Sequence, residues 1–478
     1  MKEKMNVEHH YSTFDVQCSM LDVHLSKQLS AYGTNPPLLI MKVHLVNLGC
    51  VRNLVDSEMM LGRLVQAGWT VTQDPGKADI IVINTCSFIE PAVNESIDTI
   101  LELAKFKKTG GCRNIIVTGC LPERFREEIV HLLPEVDFFL GTGAFDRIVQ
   151  AADGSKNLPV CFLPNPDFSA TQEKDAPRVN SFTYMAYVRI AEGCDKGCTY
   201  CIIPRLRGKH RSRPLEDIVG ETRRFISSGI KELILVAEDT TYYGRDLSPT
   251  VDLGLLVDRI STISGNVWVR VLYGHPESID EHIIKTIATR SNICSYFDIP
   301  VQHASGSILK RMGRRYTRDY LYRLIDKIRS LAPDAALRTT AIVGFPGETE
   351  KDFRQLLDFA EDICFDHLGA FIYSDFEDLP SHRLSGHISK KVAKQRYDLL
   401  MSSQAKISLK NNRKQIGRTV KVLVEEKQED NIFCGRTAFQ SPEVDGVVYI
   451  NSGQIKTGCF ADVKITDAYE YDLVGEPV

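Results

Sequence analysis

The stretch ADIIVINTCSF (residues 78–88) runs through an almost uninterrupted apolar segment and stops at Cys86. Two further stretches repeat that arrangement. KVHLVNLGC (residues 42–50) ends at Cys50 and NIIVTGCLP (residues 114–122) carries Cys120, so the three cysteines are spaced by 36 and 34 residues. Runs this rich in Ile and Val, separated by amphipathic stretches such as NLVDSEMMLGRLVQAG, predict strands buried on both faces and alternating with helices. That pattern specifies a parallel sheet, and in such sheets ligands gather outside the carboxyl ends of the strands. Neighbouring strands lie about 4.8 Å apart, so three cysteines at such ends can converge on one group. Cys112 serves as a control, because it precedes its strand and is expected at the opposite edge. The competing reading is that all three are small buried hydrophobes, as free cysteines often are.

The remaining chain divides by composition. Residues 1–40 show no sustained period and read as a poorly ordered extension, with a short docked helix as the competing reading, and Met41 opens the first strand. Residues 41–154 form the first domain, expected to be a Rossmann- or flavodoxin-like α/β sheet. Residues 155–180 are rich in Pro, Asn and charge and read as a linker. From 181 to 413 six apolar runs (TYMAYVRI, ELILVA, VWVRVLY, YFDIPV, AALRTTAIV, LGAFIYS) alternate with helical stretches, which predicts an open (βα)6 barrel. Residues 414–478 hold short runs separated by turn residues, TVKVLVEE, NIFCGRT, GVVYI and CFADVKITDAY, and predict a small all-β barrel.

Composition narrows the setting. The 478 residues are 43% hydrophobic and 25% charged, with a formal net charge of −4. No apolar run is long enough to span a bilayer and residues 1–30 carry no signal-peptide pattern, so we expect a cytoplasmic protein without a membrane partner. Thirteen cysteines without an export signal favour thiols as metal ligands over a disulfide framework. The weak acidity argues against a dedicated nucleic-acid binder, DNA included.

EGCDKGCTYC (residues 192–201) places Cys194, Cys198 and Cys201 in a C-x3-C-x2-C run directly after the first strand of the six-unit domain. Compact cysteine runs hold iron–sulfur clusters, and three thiolates on four irons leave one iron open to a ligand. Structural zinc would ask for four protein ligands. His210 is the nearest candidate for a fourth, and it does not lie at finger spacing.

This run, with Tyr200 before its last cysteine, resembles the radical S-adenosylmethionine (SAM) superfamily. AIVGFPGE (residues 341–348) is similar to the adenine-side motif, and VAEDTTYYG (residues 236–244) ends the second strand. The resemblance implies SAM contacts from Tyr200, Glu238, Thr240 and Gly344. Adding NLGCVRNLVDSE, NTCSFIEPAVNES and the terminal β domain, the chain from Met41 onward resembles the radical SAM methylthiotransferase family, in which that terminal β-barrel is a TRAM domain. The family resemblance implies two 4Fe–4S clusters, one on Cys194, Cys198 and Cys201 and an auxiliary one on Cys50, Cys86 and Cys120. It also implies two uses of SAM. One methylates a sulfur held at the auxiliary cluster, and the other supplies a radical that removes hydrogen from the acceptor carbon. Departures are small: Arg52 stands where Lys is expected, Glu238 where Gln is common, and Ser441 where Ala is usual. Glu238 would add charge beside SAM.

One branch of this family modifies an aspartate β-carbon of ribosomal protein S12, and its sister modifies an adenosine of transfer RNA. DSEMMLG, DIPVQHAS, LKRMGRRYT and SPEVDGVVYI are similar to the protein-modifying branch. Residues 419–478 hold five Lys/Arg against eleven Asp/Glu, a charge of −6 that suits a basic ribosomal protein better than RNA phosphates. The basic, aromatic run RRYTRDYLYR (residues 314–323) fits either an RNA contact or a solvated helix with core tyrosines. His303 reads as a substrate contact or as a strand-end histidine satisfied by backbone. Expected partners are S12, free or on the small ribosomal subunit, and an electron donor such as flavodoxin or ferredoxin. A two-cluster electron carrier without catalysis is the remaining alternative.

Overall fold

The computed structural model describes residues 41–168, 175–429 and 431–478. The expectation about residues 1–40 lies outside these. The chain forms two compact units: the described residues up to Phe182 together with Arg205–Gly208, and Thr183–Pro204 together with Lys209–Val478.

The first unit is built on six strands, β1 (Lys42–Asn47), β2 (Thr70–Val71), β3 (Ile80–Thr85), β4 (Asn114–Gly119), β5 (Phe138–Leu140) and β6 (Cys161–Phe162). They pair in the order β2-β1-β3-β4-β5-β6, all parallel. That is the flavodoxin-like order, with its reversal between β1 and β3. Every residue of β3 is buried, as its unbroken apolar run requires. β6 arises within residues 155–180. Further along that stretch Arg178 donates to the buried Glu58 carboxylate at 2.8 Å, and Ser181 N–H donates to it at 2.7 Å.

The second unit contains the six expected parallel strands: β7 (Met185–Arg189), β10 (Glu232–Val236), β11 (Trp268–Val271), β12 (Tyr296–Asp298), β13 (Ala336–Val343) and β14 (His367–Ile372). A short antiparallel pair, β8 (Ala191–Glu192) and β9 (Arg211–Ser212), brackets the cysteine loop. β7, β10 and β11 form one sheet and β12, β13 and β14 another. A parallel bridge from Val269 to Ile293 spans the gap between them. Outward residues such as Leu233, Leu235, Val269 and Val271 pack with the helices in one large core.

Five further strands close a barrel in the order β15-β16-β17-β19-β18: β15 (Thr419–Glu429), β16 (Ile432–Thr437), β17 (Val448–Asn451), β18 (Phe460–Ala468) and β19 (Leu473–Pro477). The sequence reading found four of them and missed β19, a five-residue strand whose Gly and Pro disguise it. This barrel covers the amino ends of the six strands. Arg436 of β16 donates to Glu232, the first residue of β10, at 2.6 Å. Tyr296, the first residue of β12, donates to Asp445 at 2.6 Å, and the Trp268 and Phe460 rings lie 4.6 Å apart. The cysteine loop follows the carboxyl end of β7, so barrel and loop occupy opposite ends of the strands.

Candidate functional sites

In the first unit the structure brings together the strand ends that carry Cys50, Cys86 and Cys120. β1, β3 and β4 are consecutive neighbours, with Asn47 paired to Asn84 and Thr85 paired to Gly119. Cys86 and Cys120 therefore follow directly from a paired row, and Cys50 caps the helix Val51–Gln66 beside the reversal of strand order. Gly119 has φ +94°, and a Cβ there would fall 2.3 Å from Asn84 Oδ1, so the backbone turns where no side chain fits. Cys112 sits before β4 and bonds the carbonyl of Asn114, at the other edge as expected.

Asn53 organises this end of the sheet. Its Nδ2 donates to Asn84 Oδ1 at 3.0 Å and to the Thr85 carbonyl at 3.1 Å, while its Oδ1 accepts from the Cys50 thiol at 3.4 Å. Asn53 Oδ1 also accepts from Arg207 at 2.9 Å, and Arg207 donates to Asp56 at 2.9 Å. Arg207 and Asp56 are both buried. Burial pushes the Cys86 thiol up to about 12 and raises Cys120, where Arg207 opposes the rise. Neutral buried thiols must shed protons to bind metal, so loading this site releases protons. Sequence reasoning missed Asn53 and Arg207. Asn53 lies three residues after Cys50 and could have been flagged, but nothing in the sequence places residues 205–208 in the first unit.

In the second unit Cys194 and Cys198 line a cavity of about 310 Å³ with Lys196, His210, Asp239 and His275. Lys196 donates to Ser278 Oγ at 2.9 Å and lies 3.6 Å from Asp239. Burial raises Cys194 to about 11 and Cys201 to about 12. Tyr200 accepts from Arg314 at 2.7 Å and packs edge-on against Phe345, its ring centroid 6.2 Å away. The cysteine loop thus touches the Gly344 loop through Tyr200. Arg314 is half-buried between Tyr200 and His275, and the burial of His275 beside that guanidinium holds its imidazole down at about 2. Arg314 is therefore an internal support, and Tyr316 donates to the Val301 carbonyl at 2.9 Å as a core tyrosine.

Gly344 has φ +75°, and its N–H donates to Glu348 at 2.8 Å. Phe345 N–H donates to the same oxygen at 3.2 Å, and Arg396 donates to the other at 2.8 Å. Burial pushes Glu348 up to about 7 despite Arg396. Thr240 is fully buried and donates to the Leu272 carbonyl, so its hydroxyl already has a backbone partner. Glu238 follows the end of β10, and its charge adds a minor contribution to the burial that raises the Cys194 thiol. His303 accepts from the N–H groups of Ala304 and Ser305 at 3.0 and 2.9 Å, which is the backbone-satisfied alternative. His210 bonds Ser212 at 3.1 Å and packs against Tyr242.

The donor sets suit clusters. Among the described residues no three His, Cys, Asp or Glu side chains converge tightly enough for one metal ion. A single zinc would need that convergence. A four-iron cluster takes each thiolate on a different iron, so it asks only for three thiols around a common space.

Three family models match the chain. Residues 42–141 match the uncharacterized protein family UPF0004, residues 188–360 the radical SAM superfamily and residues 416–478 the TRAM domain. The chain is 55% identical over 438 residues to the ribosomal protein uS12 methylthiotransferase RimO of Desulfosudis oleivorans, covering 91% of this chain and 100% of that protein. It is 48% identical to the RimO of Clostridioides difficile, covering 91% and 99%. Among solved structures, the radical SAM methyltransferase TsrM from Kitasatospora setae, with tryptophan and a SAM analogue bound, shares the fold. It has a TM-score of 0.56 at 12% identity, over 77% of this chain and 89% of that one.

Proposed function

The chain belongs to the RimO family of ribosomal protein uS12 methylthiotransferases, radical SAM enzymes that use iron–sulfur clusters and SAM, and we propose that it adds a methylthio group to an aspartate β-carbon of uS12. The observation that carries the reading is the row of Cys50, Cys86 and Cys120 on three adjacent strand ends, in addition to the Cys194, Cys198 and Cys201 loop. Each trio would hold one 4Fe–4S cluster with an open iron. Bound there, the clusters and SAM supply the radical and the methylthio group, with electrons from a donor such as flavodoxin or ferredoxin.

The chain's own residues bind and orient. Tyr200, buttressed by Arg314, and the Gly344–Phe345 backbone, held by Glu348, would frame SAM. Glu348→Ala frees those two N–H groups, and losing bonds worth about 1–3 kcal/mol should raise the KM for SAM roughly tenfold. Glu348→Gln, which keeps an acceptor, should recover most of it. An unchanged KM in Glu348→Ala would remove the loop from the SAM site.

Charge favours the protein substrate. Glu425 and Asp445 are internal, facing Arg436 and Arg338. The exposed acids Glu426, Glu429, Asp462, Asp467, Glu470 and Glu476 still outnumber the exposed Lys421, Lys427, Lys456 and Lys464. The barrel caps the end of the strands away from the cysteine loop. Docking there would therefore steer a basic protein rather than position the reacting carbon.

The test offers reduced, reconstituted enzyme a uS12 loop peptide and a transfer-RNA anticodon stem-loop together with SAM. A methylthio gain on the peptide's aspartate is expected. A gain on the RNA instead would move the chain to the sister activity, and SAM cleavage with neither product would leave the substrate misread.

A further inference from the structure

Among the described residues of the first unit, Arg207 is a buried charge that neither the sheet nor the cysteine pattern explains. It is 2% exposed, yet it comes from the short segment Arg205–Gly208, which packs in the first unit although Cys201, six residues earlier, belongs to the second. Leu206 of the same segment accepts a hydrogen bond from Thr142 through its carbonyl, so the backbone is anchored independently of the Arg207 side chain. The guanidinium then reaches Asn53 Oδ1 and Asp56 Oδ2, both at 2.9 Å, and the same Asn53 donates through Nδ2 to the Cys120 sulfur at 3.9 Å, which places the cation one side chain away from that ligand.

We propose that Arg207 is a positioning residue that sets the reduction potential of the group held by Cys50, Cys86 and Cys120, with Asp56 as its counterweight. This rests on the cluster reading of those cysteines. A cluster bound through three thiolates gains negative charge when it takes up an electron. A buried cation close to one of those sulfurs stabilises the reduced form more than the oxidised form, strongly so where water is excluded. Asp56 opposes that by neutralising part of the guanidinium. Asn53 ties the two effects together, since the same Oδ1 meets Arg207 and the Cys50 thiol. Hydrogen bonds just beyond metal ligands tune such sites as a rule.

The plain alternative is that Arg207 and Asp56 are a structural ion pair pinning residues 205–208. The two ideas predict opposite patterns. If the pair only pins the segment, Arg207→Gln and Asp56→Asn each break it and act in the same direction. If charge sets the potential, Arg207→Gln makes the potential more negative, Asp56→Asn makes it more positive, and Arg207→Lys stays close to the parent.

The experiment uses the full-length chain with Cys194, Cys198 and Cys201 replaced by alanine, so that only the auxiliary site can load. Each variant is reconstituted without oxygen, assayed for iron and sulfide, and titrated potentiometrically with the reduced species followed by electron paramagnetic resonance. We expect about four irons per chain in the parent. Arg207→Gln should lower the reduced-to-oxidised ratio at fixed potential at least tenfold, a 59 mV shift for one electron. Same-sign shifts, or none in both variants with iron retained, overturn the assignment. Failure of the parent to load iron overturns the auxiliary site itself and the proposal with it. Should Arg207→Gln alone fail to load, Asp56→Asn decides: an upward shift supports the proposal, and a downward or absent one refutes it.

Discussion

Replacing Cys86 with alanine should abolish methylthio transfer, by at least roughly a hundredfold, while SAM is still cleaved reductively at close to the native rate. The reason lies in where the two trios sit. Cys86 follows β3 in the first unit, between the β1 and β4 ends that carry Cys50 and Cys120. The trio proposed to cleave SAM, Cys194, Cys198 and Cys201, belongs to the second unit, and the contacts around it, Tyr200 with Arg314 and Gly344 with Glu348, are all within that unit. Removing one thiolate leaves a cluster with two protein ligands, and iron should fall from about eight to about four per chain. The folding cost is small, because Cys86 behaves as a small apolar group packed with Ile89 and Ala92. Cys50→Ala and Cys120→Ala should act in the same way. Cys112→Ala should leave both iron and product unchanged, since its sulfur lies at the far edge of β4. Methylthiolated product above a tenth of the native yield in Cys86→Ala would remove the auxiliary site.

What could be read from the sequence was what depends on local pattern. Apolar runs ending in cysteine gave β1, β3 and β4, because a strand buried on both faces leaves little freedom in composition or direction. The central strands β7, β10, β11 and β12 were legible for the same reason. β19 was not, since Leu473–Pro477 offers only two apolar side chains and gains its place by pairing with β17 and β18. Thr240 illustrates another limit. Its position at a strand end suggested a ligand contact, but the carbonyl that takes its hydrogen bond comes from Leu272, which sequence spacing does not bring near. Arg207 was hidden because a buried arginine reads as surface until its partners are known. The net charge of the last sixty residues overstated the acidity available to a partner, because Glu425 and Asp445 are consumed inside the second unit.

Those internal charges lead to the largest stability effect expected in the molecule. Arg436→Met should destabilise the second unit by about 3–5 kcal/mol, the usual consequence of removing one partner from a buried ionic group. Arg436 is 1% exposed and donates to Glu232 at 2.6 Å, to Glu425 at 2.8 Å and to the Gln440 carbonyl at 3.0 Å. Glu232 has a second arginine, Arg270 at 2.7 Å, so it is only half deprived by the change. Glu425 is not, and burial already raises its carboxyl above the usual range. Without the opposing guanidinium its carboxyl should rise further, so the folded variant holds this proton to higher pH than the unfolded chain does. The folded state then binds a proton that the unfolded state lacks, so the deficit grows as pH rises above the unfolded carboxylate range. Urea unfolding from pH 5.5 to 8 reads both effects, as a lower midpoint and a steeper decline with pH than in the parent. Adding Glu425→Gln should restore part of the loss, because a neutral amide does not require a counter-charge. A loss below about 1 kcal/mol, or no recovery in the double variant, would mean that packing such as that of Trp268 on Phe460, rather than this ionic cluster, fixes the terminal barrel to the strands.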